Sequence, residues 1–151
     1  MKSIFIFISV IACLNVQHCL AQKANNTSLL GVFDGRTPCL QLAKQLDEKT
    51  SADCMKIKWR LILYKDSITA EPAGYELTGF VYKRGDPRKG NWHIIKEKRG
   101  NNNVTIYQLD QAGRKPLFLL KADDNILFFL DENKKILVGN RDFSYTLNRK
   151  P

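Results

Sequence analysis

The chain has 151 residues, 24 of them Lys or Arg against 15 Asp or Glu, for a formal charge of +9 with 44% apolar residues. This allows one domain with a single core. The bases are dispersed in pairs at expected turns (Lys83-Arg84, Arg88-Lys89, Lys98-Arg99, Arg114-Lys115, Lys134-Lys135, Arg149-Lys150), a pattern that serves solubility or meets an anionic envelope surface, and no nucleic-acid recognition motif accompanies them.

Residues 1–21 hold Lys2, an apolar run from Ile4 to Leu14, and Cys19-Leu20-Ala21 ahead of Gln22. A positive start, a short apolar segment and a small residue at the cut read as a secretory signal. A membrane-spanning helix needs about 20 apolar residues, and this run breaks at Asn15, Gln17 and His18. The mature chain is therefore expected to begin at Gln22, in an oxidising compartment where nucleic acid is not a partner. Val10-Ile11-Ala12-Cys13 also looks like a bacterial lipobox, which would place a lipid anchor on Cys13. The signal-like continuation to Ala21 favours the soluble product, with Cys13 as an apolar filler.

Polar residues 22–28 are expected to form a flexible leader, with glycosylation sequons at Asn25, Asn26 and Asn103 that matter only in a eukaryotic secretory route. After the short apolar stretch Leu29 to Phe33, Thr37 as cap, Pro38 at the first helical position and Leu42, Ala43 and Leu46 at helical spacing predict one helix between Pro38 and Lys49. Strand patterns follow. Met55, Ile57, Trp59, Leu61 and Leu63 alternate with Lys56, Lys58, Arg60, Ile62 and Tyr64. Further strands are expected at Tyr75–Lys83, Asn91–Lys98, Val104–Asp110, Pro116–Lys121, Asn125–Leu130, Lys135–Val138 and Phe143–Asn148, separated by turn residues. No helical stretch is available for parallel crossovers, so the sheet must be an antiparallel meander. A sheet of that many strands leaves long edges unless it closes, and the expected fold is all-β, an up-and-down lipocalin-like barrel of about eight strands with one short helix. Trp59 and Trp92 fall in apolar alternating sets and are expected to be buried.

Cys39 and Cys54 bracket the helix, and in an exported chain they are first a disulfide candidate. The alternative is a soft-metal site for copper built from Cys39, Cys54, Met55 and His93, although no repeated ligand spacing supports it. No other cofactor is expected. His93 is the only histidine beyond the signal and reads as a surface or rim residue; it is too little for a zinc enzyme. The serines lack a nucleophile motif. Asp123-Asp124 and Asp131-Glu132 sit at expected turns, where acids are solvated rather than catalytic. The chain is read as a monomer and not an enzyme. The strand aromatics read as core and outer face, or as the lining of a cavity for a small apolar ligand, with Trp59, Trp92 and Phe128 as candidates. Phe128 and Phe129 must face opposite sides of the sheet, so one of them meets another element, a partner or a lipid surface.

Several segments together resemble the N-terminal domain of the NlpE family, the envelope copper-resistance and stress-signalling lipoproteins of Gram-negative bacteria. They are Gly31-Val32-Phe33 leading to Thr37-Pro38-Cys39, then Ala52-Asp53-Cys54 with the alternating strand, Gly90-Asn91-Trp92, Leu130-Asp131-Glu132-Asn133, and Phe143-Ser144-Tyr145-Thr146-Leu147-Asn148-Arg149. The resemblance covers most of the mature chain and implies a lipocalin-like barrel over residues 29–151. It also implies a non-catalytic role in envelope or copper stress, in the periplasm or at the outer membrane. The chain departs from the family by lacking its Cys-x-x-Cys spacing, and it is expected to lack the second domain of fuller members.

Overall fold

The computed structural model describes residues 26–79 and 87–151; the expected signal segment with Cys13, the start at Gln22, the Asn25 sequon, and Phe80, Tyr82 and the Lys83-Arg84 turn lie outside them. The sheet is antiparallel and closed, and runs in chain order as β1 (Thr27–Pro38), β2 (Lys56–Asp66), β3 (Pro72–Thr78), β4 (Arg88–Arg99), β5 (Asn102–Leu109), β6 (Leu117–Lys121), β7 (Ile126–Leu130) and β8 (Thr146–Arg149). β8 returns to β1 with Gly35 opposite Leu147. The eight-strand barrel and single helix expected from the alternation are both present, the helix α1 spanning Cys39–Gln45 between β1 and β2.

Several strand ends differ from the sequence reading: β3 begins at Pro72, β8 only at Thr146, and β4 takes in Arg88-Lys89 and Lys98-Arg99, both expected at turns. Three further differences have a tertiary reason. The apolar stretch Leu29 to Phe33 is the middle of a 12-residue strand that starts at Thr27, opposite Asp66, so the last two residues of the expected leader belong to the sheet. Lys135–Val138 is not a strand. It touches β7 by one bridge, Ile136 to Leu130, and delivers Leu137 to the core. Thr37 does not cap α1. It is fully buried at the end of β1, and its hydroxyl accepts the Trp59 Nε1 hydrogen bond at 2.9 Å, leaving the N-cap position to Pro38.

Period-two alternation sends Ile57, Trp59, Leu61 and Leu63 of β2 inward, where they join Phe33, Tyr75, Leu77, Trp92, Leu109, Leu119, Leu127, Phe129 and Leu147 in one contiguous cluster. Met55, expected to lead that series, precedes the strand and is exposed. Leu42 and Ala43 of α1 and Leu46 just past its end add to the same cluster, so the helix closes the barrel end at which β1 finishes and β2 begins. Closure by β8 depends on Gly35, because a Cβ there would lie 2.3 Å from the Thr146 carbonyl oxygen and 2.7 Å from the Leu147 side chain. Only a residue with no side chain lets the two backbones approach this closely.

Candidate functional site

Cys39 opens α1 and is buried; Cys54 lies half-buried just before β2, with its backbone N–H donating to the Ser51 carbonyl. Their sulfurs are 1.96 Å apart and their Cα atoms 5.7 Å apart, a disulfide that ties the helix start to the entry of β2. The bond lies in an open concavity of about 390 Å³ lined by Leu40, Met55, Val138, Phe143 and Tyr145 among others. Three of those side chains are largely in solvent: Val138 is 83% exposed, Met55 72% and Leu40 59%. Lys56 places its Nζ 5.4 Å from the centre of the Phe143 ring, a cation–π contact. Tyr145 reaches back to α1, its hydroxyl 3.3 Å from Gln41 Oε1, and burial raises its pKa. Beside the cystine, then, the barrel presents an apolar, weakly concave end.

Of the four residues considered for copper, the fold gathers Cys39, Cys54 and Met55 and puts His93 elsewhere. His93 stands on the outer face of β4 with Nε2 2.7 Å from Asp110 Oδ2. Asp110 also accepts from Gln108 Nε2 at 2.8 Å, and that bond, followed by the His93 contact, holds its carboxyl below the usual range. With both cysteines in a disulfide, neither offers a thiolate to a soft metal. Among the described residues no cluster of three or more His, Cys, Asp or Glu is placed to hold a metal ion.

The three aromatic candidates for a ligand cavity separate as well. Trp59 and Trp92 are buried in the interior. Trp59 packs on Phe129 at 5.4 Å between ring centres, and Trp92 on Tyr107 at 4.8 Å while its Nε1 donates to the Tyr64 carbonyl at 2.7 Å. Phe128 is half-buried on the opposite face from Phe129, in register with Leu120 and Thr146. The acids at expected turns order the backbone. Asp123 Oδ1 accepts from the N–H groups of Asn125 and Ile126, and Asp131 Oδ1 from those of Asn133 and Lys135.

No family model, curated protein or solved structure matches this chain.

Sequence reasoning missed one arrangement at the helix end of the barrel. Glu48 accepts from Arg88 and, at 2.8 Å, from Arg114, whose Nη1 also donates to the Leu46 carbonyl at 2.9 Å. Burial, and then the charge of Arg114, lowers the Arg88 pKa to about 10. The carboxylate therefore pins the end of α1 to β4 and to the β5–β6 turn. A signal was present in the sequence: Asp47-Glu48 place acids at a helix C-terminus, where the dipole disfavours them, and such a placement calls for a cationic partner from elsewhere in the fold.

Proposed function

We propose that this chain is a non-catalytic, exported envelope protein of the kind represented by the NlpE N-terminal domain, acting in the response to envelope or copper stress. The observation that carries the reading is where the apolar side chains lie. The inward positions that a carrier would leave open for a ligand are filled by side chains packed on one another, from Leu61 and Leu63 across to Leu119 and Phe129. The apolar side chains left in solvent near the cystine, Leu40, Met55 and Val138, sit at the closed end instead. A filled barrel with exposed apolar side chains beside the cystine suits contact with an envelope protein better than transport of a small apolar molecule. The disulfide makes the oxidised form the resting one, with copper at most weakly held in that state.

Deleting the gene in the source bacterium and challenging the cells with copper and with detergent tests the role. A growth defect under either stress is expected, restored by the wild-type chain but not by a variant carrying Leu40→Ser, Met55→Ser and Val138→Ser. Unchanged growth under both stresses would refute it. Saturable uptake of a fluorescent fatty-acid probe by the purified protein would replace it with the carrier reading.

A further inference from the structure

The outer face of β1 and β2 holds two neighbouring cross-strand pairs that are treated differently. Asp34 stands opposite Arg60, and the two are joined by a bidentate ion pair, Nε to Oδ1 and Nη2 to Oδ2, both at 2.8 Å. Two residues further along, Arg36 stands opposite Lys58. Like charges directly opposed on a ladder repel, and among the described residues no carboxylate lies within ion-pair distance of either. Both side chains are exposed and line an open groove of about 760 Å³. Its wall also carries Asn148 of β8, Lys150 just beyond that strand, Ser144, and the carboxylates of Asp34 and Asp142.

We propose that this groove binds a phosphate monoester, with Arg36 and Lys58 as the principal cations. Two long basic side chains rising from one cross-strand pair can converge on a single oxyanion, the guanidinium supplying a planar fork and the ammonium a point charge. Asn148 and Ser144 add neutral hydrogen-bonding groups to the wall. The lining carries Arg36, Lys58, Arg60 and Lys150 against Asp34 and Asp142, a net charge of +2. That balance matches one dianionic monoester. It leaves no surplus of cations for a polyanion. An anion bound between them also screens the repulsion of Arg36 and Lys58. Arg36 and Lys58, the two principal cations, are borne on the neighbouring strands β1 and β2.

Thermal unfolding of the intact protein in inorganic phosphate, against sodium chloride at equal ionic strength, is the first measurement. A saturable rise in Tm specific to phosphate is expected. Lys58→Gln should weaken that binding at least tenfold. Arg36→Glu should abolish it while raising the Tm in chloride, because a like-charge pair becomes an ion pair. Lys98→Gln, on β4 and outside the groove, should leave binding unchanged. Phosphatidylcholine vesicles doped with phosphatidic acid then separate two sources of the same chemistry. Retention that Lys58→Gln removes assigns a lipid headgroup, and phosphate binding without retention assigns a soluble monoester. Equal Tm in the two salts, binding insensitive to both groove substitutions, or equal retention on phosphatidylglycerol vesicles would overturn the proposal.

Discussion

The barrel wall treats its outward side in two ways. Where β1 and β2 approach the helix, four successive outward positions are charged: Asp34, Arg36, Lys58 and Arg60. On β5 to β7 part of that side is apolar instead, where Ile106, Phe118 and Leu130 form a small second core with Ile95 and Leu120 packed against it. Ile106 and Leu130 are as fully buried as any interior residue. The turn after β7 lies over them. Lys134 sets its Nζ 5.6 Å from the centre of the Phe118 ring and pairs with Glu97 on β4, while Arg99 Nη2 donates to the Lys134 carbonyl at 2.7 Å. Strand alternation thus decides which way a side chain points, and a covering segment decides whether that direction is dry.

The largest expected effect lies on the inner side. Phe129→Ala removes a ring that is fully buried against Trp59 and should cost about 3–5 kcal/mol, measured by urea unfolding. Replacing Cys39 or Cys54 with Ser should cost about 2–4 kcal/mol by release of the α1 loop, with the far-UV spectrum of the barrel retained. The comparison of the two outer faces is tested most directly by a matched pair. Ile106→Ala should cost about 2–4 kcal/mol, and Ile62→Ala, outward on β2 and only half-covered, under about 1 kcal/mol. Equal costs would mean that the turn after β7 does not dry the face beneath it.

The smallest effects are those of pH. The Arg60 hydrogen bond holds the Asp34 pKa below its ordinary 3.8. Its contribution is present above that value and is lost as pH falls through the lower folded one, a shallow acid-side decline that Asp34→Asn should remove. Tyr75 behaves oppositely. Burial, then the charge of Asp110, raises its pKa from 10.0 to about 12. The neutral phenol is favoured in the folded state, so its stabilisation is complete below pH 10 and falls away up to about 12. Tyr75→Phe should flatten the alkaline limb of the stability profile, at the cost of the hydroxyl's 2.8 Å hydrogen bond to the Asp110 carbonyl.

Much of this difference could be read from the sequence. The strict alternation from Lys56 to Tyr64 describes a strand wet on one side, and the nearly continuous apolar runs Leu117-Phe118-Leu119-Leu120 and Ile126 to Leu130 describe strands covered on both. The cystine was legible too, because it needed only two cysteines around one helix in a chain read as exported. Other features were not, for stated physical reasons. β1 escaped recognition because Asp34, Gly35 and Arg36 interrupt its apolar pattern, and its extended state comes from pairing with β2 on one side and β8 on the other. Thr37 looked like a cap because its buried indole partner lies on another strand. The Arg36–Lys58 opposition depends on register between β1 and β2, which no local pattern fixes.

Seven of the eight ladders join strands that follow one another along the chain, and each can form as a local hairpin. The β1–β8 seam alone joins residues from the two ends of the described chain, with Phe33 opposite Arg149 and the Lys150 N–H donating to the Val32 carbonyl. Closing so long a loop carries the greatest entropy cost of any pairing in the sheet, which places the seam late in folding. Until it closes, β1 and β8 are both open edges, and β1 is one of the two longest strands in the barrel. A second nascent copy can supply the missing neighbour as readily as the chain's own C-terminal strand. Refolding at high protein concentration should therefore yield strand-exchanged dimers, and their yield should fall as the chain is diluted.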